Sequence, residues 1–239
     1  ASGPHMAEQT ILVTGSTDGI GKATARALLS QGHRVLLHGR NLGKGRAVLA
    51  ELEAATGSDR LSLFVADLSV QERVRDLARE VGRAVDRLDV LVNNAGVFMP
   101  EREVLPGGIE MTFAVNYLAP FLLTHELLPL LERSVPARIV NVASIAHRSA
   151  QAPDLANAPG FEDYDGYKAY AVSKLGIVAF TTRLARTLEG TGVTANSLHP
   201  GVIDTRLLRA YMGGRSGGAP RRRGGRWRRA SPSRRTPAG

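Results

Sequence analysis

The chain has 239 residues, a length that suits one α/β domain with a single core or at most two small ones. It contains no cysteine, which excludes a disulfide framework, thiolate catalysis and cysteine-ligated metals; none of its six histidines forms an H-x-x-x-H or H-E-x-x-H pair, so no metal site is expected. The net charge of +9 sits in the last stretch: nine arginines and no acid lie between Arg215 and Gly239, and the body before them is neutral, so no nucleic-acid partner is expected.

Apolar strand-like runs alternate with helix-like segments. Ile11 to Val13 reads as a first strand and Gly19 to Ser30 as a helix. Arg34 to Leu37 is a second strand, followed by a helix from about Lys44 to Ala55. Leu61 to Val65 is a third strand, with an amphipathic helix over Val70 to Val85. Val90 and Leu91 lie in a short fourth strand, and a long helical region covers Gly108 to Leu131. Arg138 to Val142 is a fifth strand, Tyr167 to Leu188 a long helix and Val193 to Leu198 a sixth strand. This order implies an α/β fold with a doubly wound parallel sheet of the Rossmann type.

No apolar run approaches the ~18 residues of a bilayer span, and no secretory leader pattern is visible. A cytoplasmic protein without a membrane span is therefore expected. Ala1 to His5, before Met6, reads as a tag remnant. Past Met212, Gly, Pro, Ser and Arg dominate and apolar periodicity ends. The expected division is a tag remnant at 1–5, a single folded α/β domain over 6–212 and an arginine-rich disordered tail over 213–239. Strings of this composition arise when a GC-rich gene is read in a shifted frame; a functional basic arm is the alternative.

The first strand runs into Thr14-Gly15-Ser16-Thr17-Asp18-Gly19-Ile20-Gly21, and a helix follows. Gly15 suits the tight turn, Gly19 a close approach of backbone to a pyrophosphate, and Gly21 close packing of helix on strand. The helix start offers N–H groups and dipole to phosphate. An ordinary tight strand–helix connection uses glycines too. The second strand ends His38-Gly39-Arg40, with no acid from Val35 to Arg40. A carboxylate there selects NAD, whereas Arg40 offers a rigid fork to the 2′-phosphate of NADP; a solvated surface arginine is the plainer reading. Asp67 follows the third strand and is placed to accept from an adenine amino group. Asn93-Asn94-Ala95-Gly96 follows the fourth. All these positions lie at carboxyl ends of strands, where open α/β sheets bind ligands.

Tyr170 and Lys174 are four apart in a helical segment, so phenol and ammonium share a face. A free tyrosine titrates near ~10, and a neighbouring cation favours the phenolate. Alone, such a pair is uninformative. Ser144 ends the fifth strand, where its hydroxyl is placed to donate to a substrate carbonyl. Asn116 sits on a leucine-rich helical face, as a satisfied core amide or as a link returning protons to Lys174.

Taken in order, Thr14-Gly-x-x-x-Gly19-x-Gly21, Asp67, Asn93-Asn-Ala-Gly96, Asn116, Ser144, Tyr170-x-x-x-Lys174 and His199-Pro200-Gly201 resemble the motif set of the short-chain dehydrogenase/reductase family over Thr10 to Leu208. Phe113 to Thr124, Ser173 to Phe180 and the long Ser144–Tyr170 interval, with Phe161 to Tyr164 inside it, look like its retinol-dehydrogenase-like branch. The resemblance implies an NADP(H)-dependent oxidoreductase, preferring NADP(H) over NAD(H), that moves hydride between nicotinamide and a carbonyl or alcohol substrate. It implies Tyr170 as general acid/base, Ser144 as carbonyl-polarising group, Lys174 on the nicotinamide ribose and Asn116 in a proton relay. The implied cofactor contacts are Gly15, Ser16, Thr17, Asp18, Gly19, Ile20, Gly21, Arg40, Asn41, Asp67, Leu68, Asn94, Ala95, Gly96, Tyr170, Lys174, Pro200, Gly201 and Val202. It also implies a homo-oligomer. The family continues past Gly201 with helices and a seventh strand; here Arg206 to Met212 starts a helix and the arginine-rich stretch replaces the remainder. A sheet lacking its last strand is expected, which leaves a non-catalytic NADP(H)-binding module as the alternative function.

Overall fold

A computed structural model of the chain describes residues 7–156 and 164–201. Residues 1–6, 157–163 and 202–239 lie outside it, and with them the expected tag remnant, Val202, the helix expected from Arg206, the arginine-rich stretch and the question of a seventh strand.

Six parallel strands form one sheet in the order β3-β2-β1-β4-β5-β6. They are β1 (Thr10–Val13), β2 (Arg34–Gly39), β3 (Leu61–Val65), β4 (Val90–Asn93), β5 (Ala137–Val142) and β6 (Val193–Leu198). Between them run α1 (Gly19–Ser30), α2 (Leu42–Thr56) and α3 (Gln71–Ala84). Strand order reverses direction between β1 and β4, and this opens a crevice above their carboxyl ends. The register aligns Val13 with Leu37 on one side and with Val92 on the other.

Because the sheet is covered on both faces, its strands read as continuous apolar runs whose alternate residues serve opposite cores. Leu12, Leu36, Leu91 and Ile139 face one side with Val74, Leu77 and Val81 of α3. Ile11, Val13, Val35 and Leu37 face the other with Ala25 and Leu29 of α1 and Val48 and Leu52 of α2.

The long helical region starts at Met111 rather than Gly108, because the Glu110 carboxylate caps it, accepting from the N–H groups of Thr112 and Phe113, each at 2.8 Å. It comprises α4 (Met111–Phe113), a π-helical turn (Ala114–Leu118) and α5 (Ala119–Arg133). These 23 residues, Met111–Arg133, are long and apolar enough to match a bilayer. Their apolar side is nevertheless committed to the core, where Leu123, Leu127, Leu130 and Leu131 are buried. After β5 come a 3-10 helix (Ile145–Ser149), α6 (Ala152–Ala156) and the 22-residue α7 (Gly166–Thr187). The sequence pattern gave no sign of the π-turn, the 3-10 helix or α6.

Candidate active site

The β1–α1 turn is built by hydrogen bonds from its neighbours. Gly15 has φ +64°, a left-handed conformation, and a Cβ there would come within 2.8 Å of Ala95 Cα. Thr14 Oγ1 accepts from the N–H groups of Asn94 and Ala95, both at 3.0 Å. Asn94 donates its amide to Thr14 O at 2.8 Å and to Gly15 O at 3.3 Å. Asn94 therefore secures the turn with the amide that was expected to hold a cofactor. Ser16 is fully buried; its N–H donates to His38 O, and its hydroxyl accepts from His38 N–H at 2.9 Å. Asp18 caps α1, accepting from Gly19 N–H at 2.8 Å, and pairs with Lys44 at 2.7 Å. Ile20 and Gly21 open the helix.

Arg40 is exposed just beyond β2. Asn41 caps α2 by accepting from Lys44 N–H at 2.8 Å, so Arg40 stands immediately before a capped helix start. Asp67 accepts from the N–H and the hydroxyl of Ser69, at 2.9 and 2.7 Å, which ties its carboxylate to the loop after β3. Leu68 packs in the core beside it. Gly96 follows Ala95 beyond β4, and Pro200 and Gly201 follow β6.

At the β4–β5 side, Tyr170 on α7 is 7% exposed and meets the edge of Phe98 with ring centroids 6.0 Å apart. Burial pushes its pKa up, and a hydrogen bond from Ser144 pulls the other way. Ser144 stands at the end of β5 as the cap of the 3-10 helix, accepting from Ala146 N–H at 3.2 Å. Lys174 lies one turn along α7, its ammonium 5.7 Å from the Tyr170 ring centre and donating to Val142 O at 2.8 Å. Burial brings its pKa down to about 8. The phenol and ammonium share a face, as their spacing requires, but burial outweighs the expected lowering of the tyrosine.

Asn116 lies in the π-turn and is buried. Its carbonyl accepts from Val97 N–H at 2.8 Å; its amide donates to Val97 O at 2.9 Å and to Ser173 Oγ at 3.1 Å. It thus joins the loop after Asn93-Asn-Ala-Gly96 to the helix carrying Tyr170. π-turns inside helices occur frequently at functional sites.

Three residues escaped the sequence reading. His38 is a polar residue inside an apolar strand, which was the available signal. The buried Glu110 and the half-buried Tyr164 form a clamp in which the phenol donates to Met99 O at 2.8 Å and meets the Glu110 carboxylate at 3.1 Å. Burial is the leading cause that pushes the Tyr164 pKa up to about 12. Nothing in local sequence pairs residues 54 apart.

This arrangement defines an α/β protein of the Rossmann type with a Ser-Tyr-Lys group at the strand ends. The short chain dehydrogenase family profile matches residues 9–213, and the chain belongs to that family, in its retinol-dehydrogenase-like branch. It is 41% identical over 201 residues to retinol dehydrogenase 11 of Homo sapiens, covering 84% of this chain and 63% of the relative. It is 40% identical over 208 residues to retinol dehydrogenase 13 of Mus musculus, covering 84% and 60%. The chain therefore spans about three-fifths of the length of these curated relatives. Among solved structures, the Pseudomonas aeruginosa RhlG/NADP active-site complex superposes with a TM-score of 0.70 at 30% identity, covering 87% of this chain and 78% of that one.

Proposed function

We propose that this chain is an oxidoreductase that uses NADP(H) in preference to NAD(H) and interconverts a carbonyl and an alcohol. The observation that carries the reading is the buried Tyr170 phenol, hydrogen-bonded to Ser144 and one helical turn from the Lys174 ammonium. The donor set fits a nicotinamide dinucleotide: a glycine-rich turn with φ +64° at Gly15 and +49° at Gly19 leads into α1, whose capping carboxylate, Asp18, is paired with Lys44. The solved NADP complex among the similar structures supports the same class of cofactor.

A bound nicotinamide supplies or accepts the hydride. Tyr170 delivers a proton to the substrate oxygen in reduction and receives it in oxidation. Ser144 donates to that oxygen and steadies its developing negative charge. Lys174 is held by Val142 O, and its charge favours the phenolate needed when Tyr170 acts as a base. Asn116 keeps α7 and the loop at Val97 in register. Arg40 meets the 2′-phosphate and gives the preference for NADP(H). The test is a turnover screen of ketones, aldehydes and alcohols with NADPH or NADP, run on the full chain and on Tyr170→Phe. Turnover that disappears in the variant supports the reading. Undiminished turnover in Tyr170→Phe, or cofactor binding without turnover of any compound, overturns it; the latter outcome supports a non-catalytic NADP(H)-binding module.

A further inference from the structure

His38 is 2% exposed at the carboxyl end of β2, in a sheet whose other buried strand positions are largely apolar. Its ring touches main chain on both sides. Gly15 N–H points at Nδ1 from 3.2 Å, and Nε2 lies 3.2 Å from Ala66 O. A backbone N–H is always a donor and a carbonyl always an acceptor, so these two partners select one form of the ring. Nδ1 carries a lone pair and Nε2 carries the hydrogen. The imidazolium, with hydrogens on both nitrogens, would set two donors face to face at Gly15.

We infer that His38 is a positioning residue of the cofactor site, a neutral imidazole in its Nε2–H form that pins the main chain of the phosphate-binding turn to the ends of β2 and β3. The inference rests on the dinucleotide reading above and deepens it, by naming what holds the binding turn in place. Three strand ends meet at this ring. Gly15 begins the turn after β1, His38 belongs to β2, and Ala66 precedes Asp67 after β3. Ser16 adds a second pair of contacts to His38 main chain, with its N–H donating to His38 O at 2.9 Å and its hydroxyl accepting from His38 N–H at 2.9 Å. The ring thus fixes the first glycine of the turn, and the backbone of the same residue fixes the next position.

The surroundings keep the ring neutral. Asp67 is the charged group that faces it from the end of β3 and favours protonation, as does the bond to Ala66. The β1–α1 turn presents Ser16 hydroxyl and main chain, and Arg40 lies exposed two residues on, just beyond β2. Burial outweighs Asp67 and brings the His38 pKa down to about 4. The contact to Gly15 therefore persists across the neutral range, and cofactor affinity gains no inflection near pH 6.5 from this histidine.

Three variants separate its two bonds. Asn places an acceptor near the position of Nδ1, Gln a donor near that of Nε2, and Ala neither. NADPH affinity is measured by titration, and KM and kcat by steady-state turnover, for the full chain and each variant. His38→Ala and His38→Gln are expected to weaken NADPH binding roughly tenfold through loss of a buried hydrogen-bond partner, and His38→Asn only a few-fold. The loss falls on KM for NADPH rather than on kcat at saturation. Equal affinity in His38→Ala, or a fall in kcat and thermal stability with KM unchanged, overturns the inference. A 15N spectrum of the unmodified protein tests it without any variant: a protonated Nε2 and a bare Nδ1 support it, and a proton on Nδ1 overturns it. Failure of the unmodified chain to bind NADPH would sink the cofactor reading itself, whatever form the ring takes.

Discussion

The two halves of the sheet meet their ligand-side duties by opposite electrostatic means. At the carboxyl ends of β1, β2 and β3 the polar groups beside the turn are neutral: the buried Thr14, Ser16 and His38 and the half-buried Asn94 bond to main chain and to one another, and the charged Asp18, Lys44 and Arg40 remain at the surface. Around β5 and α7 an ammonium and a phenol are themselves buried, and burial shifts both away from their ordinary pKa values. A turn that binds by shape gains from neutral, directional bonds, which hold it the same way at any ordinary pH. A site that moves protons needs ionisable groups close to their working point; burial moves Lys174 toward neutrality and Tyr170 away from it, against the pull of Ser144.

The contrast breaks most severely at Tyr170. Tyr170→Phe removes the proton and keeps the ring, so turnover is expected to fall by roughly 10² to 10⁴. NADPH affinity, measured by titration, should stay within a few-fold, because the β1–β3 half is untouched. A comparable fall in affinity would mean that the halves are not separable.

The next effect comes from shape alone. A Cβ on Gly21 would lie 2.4 Å from Asn94 Nδ2 and 2.5 Å from Gly15 O. Gly21→Ala should therefore displace the bond that secures the turn, lowering stability by about 2–3 kcal/mol in denaturant unfolding and weakening NADPH with it. Stability and affinity close to those of the unmodified chain would show that the turn yields more easily than its contacts suggest.

Arg40→Ala is smaller and selective. It should bring NADPH affinity down roughly tenfold toward that of NADH and leave NADH unchanged. Equal affinities in the unmodified chain, titrated at moderate salt, would remove the assignment.

The smallest effect has the opposite sign. Lys174 titrates at about 8 in the fold, against 10.5 unburied, so between these values the unfolded chain holds more protons. Stability therefore rises as pH climbs through that window, and at pH 7 the buried cation is a cost. Lys174→Met, which gives up the bond to Val142 O, should still raise the melting temperature at pH 7 by about 2–4 °C for each kcal/mol relieved, with an advantage that shrinks above pH 8. A variant less stable at pH 7 would show that the hydrogen bond outweighs the desolvation.

Much of this was legible in the sequence. The strands stood out because a sheet covered on both faces needs unbroken apolar runs, and Ile11 to Val13, Arg34 to Leu37 and Leu61 to Val65 supplied them. Glycine spacing and the Tyr170–Lys174 interval pointed to the candidate site because each expresses a local geometric need. What stayed hidden was non-local. The His38 contacts reach residues 23 and 28 positions away, and the Glu110–Tyr164 clamp spans 54. The double use of the Asn94 amide was equally invisible, since a motif gives the residue type and not the direction in which its amide points. Helix boundaries slipped for a related reason: the cap at Glu110, not the apolar period, decides where that helix begins.

The π-turn at Ala114–Leu118 has a consequence for how this segment tolerates change. Ala119 N–H bonds back five residues to Ala114 O, so the turn holds one residue more than the helix on either side. It amounts to a single-residue insertion kept inside an otherwise ordinary helix. Losing any one residue there would restore regular winding, leave the flanking turns close to their present orientation and re-aim the side chains that the turn itself carries. Asn116 would leave Val97 and Ser173, and Tyr117 would leave Phe113, whose ring now lies 5.0 Å away. Over its life the segment should therefore absorb substitutions far more readily than a change of length.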